Sequence, residues 1–277
     1  MLVDTAIILC GGRGTRFRES AEAELVAQKA ARDFKCYPPP RTLFELETVR
    51  ELCKTPKCLV PVCGKPLLWH KIDQLARTGV RDIILCAGKT EDQTRKGLAN
   101  LSWDHPISIS FAPHSFFSNE DLDSIRRAVK SRPAVAQIII TAGDCLTTTD
   151  YGHLATEHLK HNSHLTIATQ EDHGDRVFVQ DSIATLDFLS KATRETTDNL
   201  SRFPHRSPLN AAIFRAWYNH ELICVSNTAD HLNINTIEDF ARLISDPARF
   251  IPVSALGRPN LLAASPRERY RELGLQP

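Results

Sequence analysis

Short apolar runs separated by breakers set the rhythm of the first half of the chain. AIILC (6–10), VRDIILCAG (80–88), ISISFA (107–112) and AVAQIIITAG (134–143) are each nearly continuous rather than alternating. Runs of that kind read as strands buried on both faces, as in a parallel sheet. Between them, apolar positions fall at helical spacing. PLLWHKIDQLART (66–78) carries proline at its start and Gly79 as its stop, and EDQTRKGLANL (91–101) and NEDLDSIRRAVKSR (119–132) read as two more helices. Strand and helix alternate through residue 146, which predicts a doubly wound α/β half.

The second half is less regular. HLTIATQ (164–170), RVFVQ (176–180), ATLDFL (184–189), NAAIFRAW (210–217) and LICVS (222–226) read as strands of a meander or mixed sheet. In HLNINTIEDFARLIS (231–245), Asn235 or Thr236 caps a helix, and Thr236 with Asp239 has capping-box spacing. Residues 18–54 stand apart. RESAEAELVAQKAARDF is helix-prone, CYPPPR breaks it, and TLFELETVRELC is helix-like again. An insertion of that length at a loop is expected to be a lid, an oligomer contact or a flap rather than core.

Composition narrows the class of protein. Of 277 residues 42% are hydrophobic and 24% charged, and the net charge of +1 points to neither nucleic acid nor an anionic membrane as partner. No apolar stretch approaches the ~20 residues of a membrane span, and MLVDTAIILCGG lacks the basic start and cleavage site of a signal peptide. A cytoplasmic protein is the expectation. Its eight cysteines form no CxxC pair, so Cys53, Cys58 and Cys63 read as reduced thiols rather than zinc ligands.

Chemistry concentrates in AIILCGGRGTRF (6–17). Gly11, Gly12 and Gly14 let backbone amides approach an anion, and Arg13 and Arg16 add charge, a set suited to a triphosphate. The loop is not a Walker A motif, which needs G-x-x-x-x-G-K-[ST]. Nor is it the dinucleotide fingerprint, because it lacks the third glycine and does not plainly open a helix. That spacing, with no acidic residue at ribose-binding distance, argues against a dinucleotide-dependent oxidoreductase.

GGRGTRF followed by TPKCLVPVCGKPLLWHKIDQL resembles the nucleotidyltransferases that make nucleotide sugars, with their pattern G-G-x-G-T-R, then P-K-x-L-x-P-V-x-G-K-P. AGDCL (142–146) resembles the family's G-D block. SKAT with Lys191 resembles E-K-P, with Ser190 where Glu is usual. LNAAIFRAW resembles N-A-G-I-Y, and HLNINTIEDF resembles the closing N-I-N-T-P-E-D block. The likeness covers residues 5–245 apart from the 18–54 insertion. It implies the nucleotide-diphospho-sugar transferase type of α/β fold: a Rossmann-like doubly wound mixed sheet, mostly parallel, flanked by helices. The expected organisation is one domain over 1–250, with the helical insertion at about 18–54, and a tail over 251–277 with a short helix.

The activity so implied is attack by a phosphate oxygen of an acceptor on the α-phosphorus of an NTP, with pyrophosphate leaving. Catalysis of that kind consists of holding two polyanions in line and neutralising charge. The resemblance makes Arg16 and Lys57 the catalytic cations and assigns nucleotide binding to Leu9, Gly11, Gly12, Gly14, Thr15, Arg16 and Lys57. It assigns acceptor binding to Lys191 and Asn210, and Mg²⁺ to Asp144 and Asn233, with Asp230 and Asp239 as nearby alternatives. His70 is expected to be a packed helix residue, while His114, His173, Asp175 and TTDNLSRFPHRSP could line the acceptor side. GKPLLWHKIDQLARTGVRDIILCAG is similar to glucose-1-phosphate cytidylyltransferases, a lean toward CTP that leaves GTP, UTP and dTTP open. The acceptor is expected to be a sugar 1-phosphate, with phosphocholine-type alcohols and phosphonates also open. A homo-oligomer is open as the assembly state, and a non-catalytic nucleotide-binding regulator is the remaining functional alternative. The joint presence of Arg16, Lys57 and Asp144 favours the enzyme.

Overall fold

The computed structural model describes residues 3–11, 14–33, 44–112, 121–130, 136–172, 175–194, 212–213, 215–216, 219, 222–226 and 231–251. Strands are β1 (Thr5–Leu9), β2 (Pro61–Val62), β3 (Lys65–Pro66), β4 (Asp82–Cys86), β5 (Ser108–Phe111), β6 (Gln137–Ala142), β7 (Cys145–Thr147), β8 (Leu165–Asp172), β9 (Asp175–Thr185), β10 (Leu222–Ser226) and β11 (His231–Asn233). Helices are α1 (Thr15–Asp33), α2 (Leu46–Lys54), α3 (Leu67–Arg77), α4 (Glu91–Leu98), α5 (Asp121–Lys130), α6 (Tyr151–Lys160), α7 (Leu186–Arg194) and, from Ile237–Ser245, α8. The chain divides into two compact units: residues 1–12, 71–143 and 148–231 in one, residues 13–70, 144–147 and 232–277 in the other.

The first unit is built on a seven-stranded sheet of order β10-β8-β9-β6-β1-β4-β5. β6, β1, β4 and β5 run parallel, β10 is parallel to β8, and β9 is antiparallel to both its neighbours. The continuous apolar runs explain the central order, since Ile7, Ile8, Ile83, Ile84, Ile138 and Ile139 are all buried. β5 lies at the sheet edge, which is why its residues are half-exposed. The order β6-β1-β4-β5 makes the ends of β1 and β6 a switch point, the place where open α/β sheets present their ligand loops. Leu9 stands opposite Ala142 there, and the Gly143 amide donates to the Leu9 carbonyl at 2.9 Å.

Two strand expectations are corrected. In ATLDFL only the first residues extend β9, and Leu186 opens α7. Thr185 accepts from the Phe188 amide through its hydroxyl at 3.2 Å, with Asp187 in the first turn, so a capped helix wins over the apolar run. Within NAAIFRAW, residues 212–213 and 215–216 are helical, and Ala212 and Ala216 are buried one turn apart. A short apolar run fits either period, and packing chose the helix.

The first unit also encloses a polar network that no motif announced. Lys71, wholly buried, lies 3.6 Å from the Asp181 carboxylate and donates to the Tyr151 hydroxyl at 3.3 Å. Tyr151, Thr141 and Thr149 donate to that carboxylate at 2.8, 2.5 and 2.6 Å. A buried ion pair is tolerable only when its remaining lone pairs are satisfied in this way.

The second unit overturns the expectation for residues 18–54. Both helix-prone segments fold as helices, α1 and α2, but they are core elements. Phe17, Ala21, Phe44, Val49 and Leu52 pack in one cluster with Val60, Val62, Ile234 and Phe240. Phe44 stacks on Phe240 with ring centres 5.4 Å apart, and Phe17 meets Phe240 edge-on at 6.3 Å. Two small sheets, β2-β3 and β7-β11, complete the unit.

Candidate active site

α1 begins at Thr15, directly after the last glycine of the loop. The loop therefore does open a helix, contrary to the reading of its sequence. The first amides of a helix have no intrahelical acceptor and carry the positive end of the dipole. No acidic side chain sits in the first turn of α1 to compensate them, and Thr15 and Arg16 there are exposed. Gly14 has φ +59°, a left-handed conformation that turns the chain into the helix. Gly11 is a glycine for a different reason. A Cβ there would stand 2.7 Å from the Ala87 carbonyl carbon, 2.8 Å from its oxygen and 2.9 Å from the Cys86 oxygen. The close approach there is to protein backbone.

Lys57 sits in a 3₁₀ turn (Lys57–Leu59) set up by Pro56. Its ammonium lies 2.6 Å from Asp144 Oδ2 and donates to Asn235 Oδ1 at 3.3 Å. The Lys57 side chain is 11% exposed and that of Asp144 32%, so water screens this pair far less than the α2 surface pair Arg50–Glu47, at 44% and 68%. Sequence separation makes the pair unreadable from the chain: a residue before β2 meets one between β6 and β7.

β7 and β11 then bring the third partner in. The Ile234 amide donates to the Asp144 carbonyl at 3.1 Å, which seats Asn233 at the end of the strand beside the Asp144 segment. Asn233 Oδ1 is buried and, among the described residues, has no hydrogen-bond partner. An acceptor withdrawn from water without a donor is costly unless something else satisfies it. A carboxylate and an amide oxygen, with no nitrogen or sulfur donor, form a set suited to a hard cation such as Mg²⁺, whose other sites go to phosphates and water. The residues fit that ion. Among the described residues there is no group of three or more His, Cys, Asp or Glu side chains able to hold a metal, so such an ion would depend on its substrate for most of its shell.

Asn235 is the residue that sequence reading missed. It was visible only as a helix-capping candidate in N-I-N-T. Its amide donates to Asp239 Oδ2 at 2.9 Å, and the Thr236 amide to the same oxygen at 3.0 Å. The Thr236 hydroxyl accepts from the Asp239 amide at 3.3 Å, which completes the anticipated capping box. The Ile237 amide donates to Ser20 Oγ of α1 at 2.9 Å. Asp239 Oδ2 is thus occupied as a cap.

The other expected residues distribute as follows. Leu9 ends β1 half-buried. Lys191 is exposed on α7. Gly12, Asn210, His114, His173, Asp230 and the loop 196–208 lie outside the described residues, as does the side chain of Asp175. His70 is buried with Nε2 2.8 Å from the Val62 carbonyl, a packed residue as anticipated. Burial pushes the Cys63 thiol up to about 11, which keeps it protonated and unreactive at neutral pH.

This arrangement places the protein among the nucleotidyltransferases of the nucleotide-diphospho-sugar transferase fold. Within that class, the chain belongs to the family of MobA-like NTP transferase domains, which it matches over residues 50–267. Solved structures agree on the fold. One is a Bacillus anthracis protein assigned as a glucose-1-phosphate thymidylyltransferase and solved in complex with a sucrose. It is 12% identical, with TM-score 0.57 over 86% of this chain and 92% of that one. HddC from Yersinia pseudotuberculosis is 17% identical, with TM-score 0.54 over 87% and 97% of the two chains. Its complex with GMP-PN gives 18% and 0.55 over the same shares. Over 143 residues the chain is also 24% identical to translation initiation factor eIF2B subunit epsilon of Schizosaccharomyces pombe. That match covers 48% of this chain and 21% of the relative's length, so the chain spans about a fifth of that protein. Among the described residues, no helix is long and apolar enough to cross a membrane.

Proposed function

We propose that the protein transfers a nucleotidyl group from an NTP to a sugar 1-phosphate, forming an NDP-sugar and pyrophosphate. The observation that carries this reading is the Lys57–Asp144–Asn233 constellation, held in the same unit as the start of α1. The amides at the α1 N-terminus, with the exposed Thr15 and Arg16, would bind the triphosphate, with Leu9, Gly11, Gly12 and Gly14 proposed beside them as nucleotide-binding residues. Lys57 would neutralise the β- and γ-phosphates and then the leaving pyrophosphate. Asp144 and Asn233 would hold Mg²⁺, which when bound screens phosphate charge against the incoming acceptor oxygen. Lys191 and Asn210 are proposed on the acceptor side. A phosphate oxygen of the acceptor forms the new bond to the α-phosphorus, and the bond from that phosphorus to the bridging oxygen of pyrophosphate breaks. The residues do no covalent chemistry, so orientation and charge account for the rate. CTP is the favoured nucleotide from the likeness of residues 64–88 to cytidylyltransferases.

The deciding experiment is pyrophosphate release with Mg²⁺ for CTP, GTP, UTP, dTTP and ATP, each against sugar 1-phosphates and phosphocholine-like acceptors. One NTP and one sugar 1-phosphate should be required, and Asp144→Ala or Lys57→Ala should lower kcat by about 10²-fold or more, the scale set by loss of one charge-stabilising group. Release with a non-sugar acceptor alone would replace the sugar reading. An Asp144→Ala enzyme at full rate would remove the proposed site.

A further inference from the structure

Lys57 and Asp144 have been given separate tasks, one on the triphosphate and one on the metal, yet they are bound to each other at 2.6 Å. While its ammonium is paired with Asp144, Lys57 offers the phosphates less than its full charge and donor set. We infer that Lys57 is the resident counter-ion of Asp144, exchanged for a divalent cation when the metal–nucleotide complex binds, and that Asn235 is the positioning residue that keeps Lys57 in place after the exchange. This rests on the proposed role of Asp144 as a metal ligand.

Three observations carry the inference. The pair is short, with Lys57 11% and Asp144 32% exposed, so a divalent ion on Asp144 must compete with an ammonium already in contact with Oδ2. Asn233 Oδ1, on the strand adjoining the Asp144 segment, is left without a partner among the described residues, so one acceptor stays open for what the lysine does not supply. Lys57 also has a second acceptor, Asn235 Oδ1 at 3.3 Å, longer than its contact with Asp144. Asn235 is itself pinned by Asp239 through its amide. A divalent cation on Asp144 repels the ammonium across a short distance. Asn235 gives it a neutral acceptor to retain while the triphosphate takes the place of the lost carboxylate. The consequence is ordered use of charge: the free protein binds the metal weakly, and metal and nucleotide bind together.

The test measures Mn²⁺ binding to nucleotide-free protein by electron paramagnetic resonance at low ionic strength, in wild type, Lys57→Met, Lys57→Gln and Asp144→Asn, with folding checked by circular dichroism. Removing the resident cation should tighten Mn²⁺ binding about tenfold or more in both lysine variants, the scale of a single close charge interaction, and Asp144→Asn should abolish it. Equal affinity in wild type and both folded lysine variants, or no Mn²⁺ bound to either, overturns the exchange. The underlying reading is judged separately, by Mn²⁺ binding in the presence of α,β-methylene-CTP and α,β-methylene-GTP. If Asp144→Asn then binds Mn²⁺ as tightly as wild type, Asp144 is not a ligand and that reading falls. Calorimetry of the same analogues tests Asn235. Asn235→Ala should weaken analogue binding several-fold with Mn²⁺ present and leave it unchanged without metal, because Asp144 then still holds Lys57. A loss that is equal with and without metal marks Asn235 as merely structural.

Discussion

Gly11 shows how one residue type serves two unrelated demands. In the sequence it belongs to a glycine loop suited to an anion, and Gly14 does turn the chain, at φ +59°, into α1. Gly11 itself is fixed by the backbone of Ala87 and Cys86, atoms that cannot move aside as a side chain can. Gly11→Ala should therefore destabilise the protein by about 1–3 kcal/mol, the usual range for overpacking. The check is the urea midpoint in the absence of nucleotide, where a purely ligand-binding glycine would leave it unchanged. Lys57 and Asp144 were legible singly, as charges within motif blocks. Their union was not, because a contact between residues so far apart in sequence leaves no local pattern.

At the scale of elements, the start of α8 bears most on the site. Thr236, Asp239 and Ser20 between them satisfy the amides of Asn235, Thr236, Ile237 and Asp239, so the strand-to-helix corner carrying Asn233 and Asn235 is held by its own capping box and by one bond to α1. Asp239→Ala removes the acceptor of two amides and should cost about 1–2 kcal/mol, as loss of a helix cap does. Mn²⁺ affinity of the free protein should stay within about twofold, since the Asp239 carboxylate caps the helix. A thermal melt and a metal titration on the same sample distinguish a cap from a ligand. The capping box could be read from T-I-E-D because its rule is local. The helices at 186–194 and 212–216 could not, because apolar runs of that length suit either period and only their packing decides.

Over the whole molecule, stability should depend on pH through His158. It is fully buried on α6, with Nδ1 2.9 Å from the Thr166 hydroxyl, and Nε2 has no partner among the described residues. Burial, then the nearby His164, lowers its pKa from 6.5 to about 4. Between those values the unfolded chain binds a proton that the folded one excludes, so stability is lost as pH falls through the window and is full above pH 6.5. The slope from this group is at most about 1.4 kcal/mol per pH unit. Unfolding followed at intervals from pH 7.5 to 4.5 should show it, and His158→Gln should flatten the profile. The two cores are also a property of the whole. The segment expected outside the core supplies Phe44, Val49 and Leu52 to the cluster around Phe240, and nothing in a helix-prone stretch of sequence says what it will pack against.

By itself the sequence determined the parallel centre of the sheet, the order of strands and helices through β6, and the family. These follow from continuous apolar runs, breakers and motif blocks, which are short-range properties of a chain. The tertiary structure alone decided that Lys57 neutralises Asp144, that Asn235 stands second to it, that Gly11 packs on backbone, and that α1 and α2 belong to a core. Each is a contact between segments distant in sequence. Its energy depends on distance and exclusion of water, and neither quantity exists until the chain has folded.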